Sequence, residues 1–218
     1  MLYKGFAFNG KHLYHDFDCY IKKVEMSPPD KKEVRKTVPY MNGSYDFSTL
    51  YGGPCFEDRT IKYTIDVYGD DAANLAEKKQ DLENWLLPCS MRVLQDDSMP
   101  NYYFYAECIS VDEAGEEGDS NELTIQFKAY PFKISRQLYE VTYKPSAAAD
   151  VTINNDGTFA VIPTITCAAA ATVVYGGNTY MLGIGEHKSS IFTLKPGNNS
   201  LNIKSDGVVT VSFRTEVL

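Results

Sequence analysis

The chain has 218 residues, 44% hydrophobic and 23% charged, an ordinary globular composition that excludes a disordered, collagenous or coiled-coil chain. Its 21 Lys and Arg face 29 Asp and Glu for a net charge of −8, which excludes binding to nucleic acid through a basic footprint. The imbalance sits in residues 1–140, with 16 basic and 24 acidic side chains, while the remainder holds five of each, so two units are expected.

The start, Met1-Leu2-Tyr3-Lys4-Gly5-Phe6, lacks the apolar core and cleavage site of a secretory signal, so folding in a cytoplasm is expected. His12 and His15, with Asp16 and Asp18, are candidate metal ligands by residue type. In a strand or turn, however, a spacing of three aims the two rings at opposite faces, so no metal site is expected. Residues 26–37 are polar and contain proline. The cations around them, Lys22, Lys23, Lys31, Lys32, Arg35 and Lys36, outnumber Glu25, Asp30 and Glu33, and the segment reads as a solvated hairpin or arm.

Thr60 to Tyr68 alternates, with Ile61, Tyr63, Ile65 and Val67 on one face, and predicts a half-buried strand. A helix is predicted over 70–87. Asp70 or Asp71 caps it, Leu75, Leu82 and Leu86 form its apolar stripe, Trp85 anchors it in the core, and Pro88 stops it. Met91 to Gln95 reads as a short strand, 96–101 as a turn and Tyr102 to Val111 as the returning strand. Along that strand Tyr103 and Tyr105 lie on one face and Phe104 on the other. One face is left over, and exposed tyrosine suits protein interfaces or stacking on sugar rings.

Six carboxylates between Asp112 and Glu122 lack the D-x-D-x-D-G order of a calcium loop and read as a solvated hairpin tip. Asn121 to Tyr130 alternates again, through Leu123, Ile125, Phe127 and Ala129. Lys144 to Ala149 is rich in small residues and proline, and sets a boundary between units at 1–143 and 150–218. From Asp150, short runs between Asn155-Asp156-Gly157, Gly176-Gly177-Asn178, Pro196-Gly197-Asn198-Asn199 and Asp206-Gly207 predict seven or eight strands of an antiparallel sandwich. Gly157 to Gly185 carries no charge, but Pro163, the glycines and alternating Thr interrupt it, so no membrane span is expected. The fold class is therefore mainly β, with a single helix.

Candidate chemistry is sparse. Cys19, Cys55, Cys89, Cys108 and Cys167 are odd in number and widely spaced, which predicts reduced, mostly packed thiols. There is no G-x-S-x-G elbow, no Cys beside a His in a known signature, and Gly183-Ile184-Gly185 is no dinucleotide fingerprint. His187 is isolated, and nothing selects a carboxylate pair. No catalytic residue, cofactor or metal is expected.

Several segments in order resemble the distal tail protein family of long-tailed bacteriophages: Phe8-Asn9-Gly10-Lys11, Val38-Pro39-Tyr40-Met41-Asn42-Gly43-Ser44-Tyr45-Asp46-Phe47-Ser48, Tyr51-Gly52 and Phe56-Glu57-Asp58-Arg59-Thr60-Ile61. The order continues through Trp85-Leu86-Leu87, Met91-Arg92-Val93-Leu94, the tyrosine strand and Leu194-Lys195-Pro196-Gly197-Asn198-Asn199. Tyr40 stands where that family commonly has glycine. The resemblance implies a virion protein at the tail tip. Its N-terminal units form a six-fold ring through which DNA passes, between the tail tube protein and a tail-tip protein. A galectin-like or carbohydrate-binding-module-like C-terminal sandwich would hold a receptor-binding protein or touch host saccharides. Interface candidates are Asn42, Gly43, Asp46, Arg59, Tyr103 and Tyr105. The alternative is a carbohydrate-binding module that uses Tyr175 and Tyr180.

Overall fold

A computed structural model describes residues 5–40, 42–48, 53–113, 122–144 and 147–218. Expectations for residues 1–4, Met41, 51–52, 114–121 and 145–146 lie outside the described residues. By its contacts the chain divides into Met1–Lys133, with Leu218, and Ile134–Val217.

In chain order the first unit comprises β1 (Phe6–Phe8), β2 (Lys11–His12), α1 (Leu13–Phe17), β3 (Tyr20–Met26), β4 (Arg35–Lys36), β5 (Tyr45–Asp46), β6 (Arg59–Asp66), α2 (Ala72–Leu86), β7 (Arg92–Asp96), β8 (Tyr102–Glu113) and β9 (Glu122–Ala129). An antiparallel sheet runs in the order β2-β1-β7-β8-β9-β6-β3, while β4 and β5 form a separate two-stranded ribbon. Strand period decides its buried face. Ile61, Tyr63 and Ile65 of β6 pair with Phe127, Ile125 and Leu123 of β9, and all six are buried.

The helix α2 closes this core with Leu82, Trp85 and Leu86. Asp71, not Asp70, is its cap: the Asp71 carboxylate accepts the Asn74 N–H at 2.8 Å. Gly69 is needed just ahead of it, because a Cβ there would lie 2.7 Å from the backbone nitrogen of Leu75. Trp85 is the anchor expected of it. Its ring stacks on Phe17 at 4.7 Å and on Phe6 at 5.8 Å, and its N–H donates to the Phe8 carbonyl at 2.9 Å. Tyr63 donates to the buried Asp96 carboxylate at 2.9 Å. Burial, and then that carboxylate, raise the phenol well above its ordinary value.

The short helix α1 was not expected. His12 caps it with an imidazole: Nδ1 accepts the N–H groups of Tyr14 and His15 at 3.2 and 3.3 Å, and the Asp16 carboxylate accepts the His12 N–H at 2.6 Å. Being helical, the segment brings the His12 and His15 rings to 4.5 Å, which corrects the reading that they diverge. The Nε2 of His12 meets the Asp97 carboxylate at 3.2 Å.

The strand β10 (Lys133–Ser135) straddles the division, and the second unit continues with β11 (Tyr139–Tyr143), β12 (Ala149–Asn155), β13 (Thr164–Cys167), β14 (Ala171–Tyr175), β15 (Asn178–Leu182), β16 (Gly185–His187), β17 (Gly197–Ser205), β18 (Val209–Phe213) and β19 (Glu216–Val217). Sheets β11-β18-β13-β16 and β12-β17-β14-β15 share one core, built from Ile165, Val209 and Val211 of the first and Ile153, Val173, Leu201 and Ile203 of the second. This is the expected sandwich. Tyr139–Tyr143, assigned to the first unit in the sequence reading, pairs in register with Val209–Phe213, so the division falls earlier, at Lys133 and Ile134. Gly176 and Gly177, at φ +59° and +81°, make the two-residue hairpin between β14 and β15. The uncharged stretch supplies β13 to β15, and among the described residues no helix is long and apolar enough to cross a membrane.

The thiols sort by burial. Burial raises Cys19 to about 11 and Cys108 to about 12, and pushes Cys167 up as well, whereas Cys55 is exposed. A thiol reagent added to the folded protein is therefore expected to modify Cys55 first and half-buried Cys89 more slowly. Cys19, Cys108 and Cys167 should react only in denaturant. Simultaneous reaction of all five would contradict this packing.

Candidate functional site

Three surfaces of the first unit can meet a partner. The first is the sheet's two ends. β2 and β3 terminate the strand order, and among the described residues no further strand pairs with either. The exposed middle of β3 carries Lys22, Lys23 and Glu25, charges that guard an edge against indiscriminate pairing. Lys22 pairs with Glu122, and Lys23 meets Glu25 at 2.5 Å, a hydrogen bond that lowers the Glu25 carboxyl below its usual value.

The second is the arm between β3 and β6. Its ribbon pairs Arg35 with Asp46 and Lys36 with Tyr45, and its root is tied by Lys32 N–H to Cys55 O at 2.9 Å and Glu57 N–H to Asp30 O at 2.8 Å. Every described residue from Asp30 to Phe47 is exposed, including the interface candidates Asn42, Gly43 and Asp46. Hydrogen bonds from the Ser48 hydroxyl and N–H lower the Asp46 carboxyl. Gly43 takes φ +86° and Tyr40 φ +69°, so Tyr40 occupies the left-handed region that favours glycine, and a tyrosine bears the strain. The Tyr40 side chain is fully exposed.

The third surface is the outer face of β8. Phe104 points into the core, Tyr103 and Tyr105 point away from it, and their rings meet edge-on at 5.5 Å. Val93 lies opposite Tyr105 and is exposed as well.

Arg59 is different. It is 5% exposed, which corrects its place among surface candidates: the alternation that buries Ile61, Tyr63 and Ile65 buries position 59 too. Its guanidinium lies 5.4 Å from the Phe104 ring centre, and its Nε has no hydrogen-bond partner among the described residues. Burial lowers its pKa.

In the second unit both saccharide candidates lean on Phe192, a residue not singled out in the sequence. The Tyr175 ring lies 5.2 Å from it and the Tyr180 ring 4.9 Å. Their hydroxyls are engaged, Tyr175 donating to Asn199 Oδ1 at 2.6 Å and Tyr180 to the Ile191 carbonyl at 3.3 Å. No group of His, Cys, Asp and Glu among the described residues is arranged to hold a metal.

No family model matches the chain, and no curated protein matches it significantly. Among solved structures, the crystal structure of the SPP1 Dit (gp 19.1) protein, described as a paradigm of the hub adsorption apparatus in phages infecting Gram-positive hosts, aligns with a TM-score of 0.71 and 15% identity. The alignment covers 97% of this chain and 98% of that one. A chain of the phage P2 baseplate in its activated conformation aligns over 99% of this chain and 98% of its own at 8% identity, with a TM-score of 0.48. The first comparison shows a shared fold from end to end, in keeping with the mainly β class that the strand periodicity predicts.

Proposed function

We propose that the chain is a distal tail hub protein of a long-tailed phage or prophage, acting by assembly and not by turnover. The observation that carries this reading is the end-to-end fold shared with SPP1 Dit, at a TM-score of 0.71. In it, six first units join head to tail into a ring between the tail tube and a tail-tip protein, and DNA passes through the hole. The second unit holds a receptor-binding or other baseplate protein. Free sheet ends and an exposed arm support the joining, since a contact between two different patches closes into a ring when its rotation permits. The excess of eight negative charges in residues 1–140 supports passage without sticking, because like charge repels the phosphate backbone.

The test is electron microscopy of the protein mixed with its tail-tube neighbour. Six-fold rings capping one end of the tubes are expected. Bare tubes, together with a monomer that binds a glycan array, would replace the hub with a lectin.

A further inference from the structure

Two cations of the arm, Lys31 beside its root and Lys36 in its ribbon, lack an ion pair among the described residues. Lys31 to Lys36 holds four cations and one carboxylate. Arg35 lies 3.7 Å from Glu33 and 3.8 Å from Asp46, and Lys32 lies 3.7 Å from Glu57. Val34, Val38, Tyr40, Tyr45 and Phe47 are exposed around them. A ribbon of two residues per strand is marginal on its own and gains stability from a surface to lie on.

The same unit carries a surface of opposite sign. A groove of about 380 Å³ runs between α1 and α2, lined by Asp16, Asp18, Glu77 and Asp81 together with His15, Phe17 and Asn74. Its one lysine, Lys78, is spent on the Tyr68 carbonyl at 2.7 Å. Glu77 and Asp81, one turn apart on α2, have no ion pair among the described residues. A wider cleft of about 640 Å³ shares Asp16, Phe17 and Asp81, but it also holds Lys11 and Arg92, with the Lys11 ammonium 5.1 Å from the Phe17 ring centre, so the negative surface is confined to the narrower groove.

Topology keeps the two apart within one copy. The arm leaves the sheet where Met26 pairs with Ile61, whereas α1 enters β3 at its other end, where Tyr20 pairs with Asp66. Seven residues of strand, roughly 20 Å, separate those ends. No ion pair or hydrogen bond among the described residues joins the arm to either helix.

We infer that the arm of one copy docks along the α1–α2 groove of the next, with Lys31 and Lys36 facing Glu77 and Asp81. This rests on the ring reading above and gives it a head-to-tail contact. Opposed charge sets which surfaces meet, and the apolar side chains supply buried area.

Charge reversal tests it. Lys31→Glu with Lys36→Glu, and separately Glu77→Lys with Asp81→Lys, are each expected to raise the concentration for half-assembly about tenfold or more. An equimolar mixture of the two variants restores assembly, because alternating copies match at every contact, and so does one chain carrying all four substitutions. The restoration also shows that the variants fold. If wild-type rings form and either pair of reversals leaves assembly unchanged, or the mixture does not recover, the docking is overturned and the ring stands. If the wild type forms no ring with its tail-tube neighbour, both readings fall.

Discussion

Replacing Trp85 with alanine is expected to destabilise the first unit by about 3–5 kcal/mol, the usual cost of emptying a buried aromatic site. The indole is 5% exposed and lies between Phe6 and Phe17, so truncation removes two stacked contacts and opens a void where α2 meets β1. It also strips the Phe8 carbonyl of its donor, which adds to the loss because that oxygen is buried. In calorimetry of the whole chain the first unit's transition should fall by about 10 °C or more. Trp85→Phe keeps most of the stacking area and should recover more than half of the loss. An alanine variant melting within a degree or two of the wild type would show that the helix is not held by this residue.

Asn199→Ala is expected to cost the second unit about 3 kcal/mol, and Asn199→Asp nearly as much. The buried amide ties five groups. Its oxygen accepts the Lys195 N–H at 2.9 Å and the Tyr175 hydroxyl at 2.6 Å, and its nitrogen donates to the carbonyls of Lys195 at 2.8 Å, Gly197 at 2.9 Å and Ile153 at 3.4 Å. Alanine leaves these unpartnered inside the protein. Aspartate keeps the acceptor and loses both donors, turning a negative charge toward three carbonyls. The check is urea denaturation followed by far-ultraviolet circular dichroism. A tolerated aspartate would mean that water reaches the site and replaces the lost bonds.

What the sequence disclosed tracks how local each signal is. The strands β6 and β9 were legible because every second residue from Ile61 to Val67 and from Leu123 to Ala129 is apolar, and that period alone fixes which face is buried. Read one step of two residues further back, the same period places Arg59 inside, a signal present but unused. Helix α2 announced itself through Asp71, the leucine stripe and Pro88. Helix α1 did not: five residues carry too little period, and an imidazole is not among the usual N-caps. The unit boundary was displaced because Tyr139–Tyr143 finds its partner some seventy residues later, in Val209–Phe213, a pairing no local pattern encodes. Phe192 likewise sits in a connection without period, so its hold on Tyr175 and Tyr180 was invisible until the chain was folded. The groove between α1 and α2 needed α1 itself, and was hidden with it.

The claim that copies close on themselves through the first unit is tested most directly by the molar mass of the protein, measured by light scattering as its concentration rises at low salt. The mass should climb from 24.4 kDa for one copy to six times that value and stop there, since closure leaves no free patch. A mass that stays at one copy up to the limit of solubility, or that grows without limit as an open fibre, would contradict the ring.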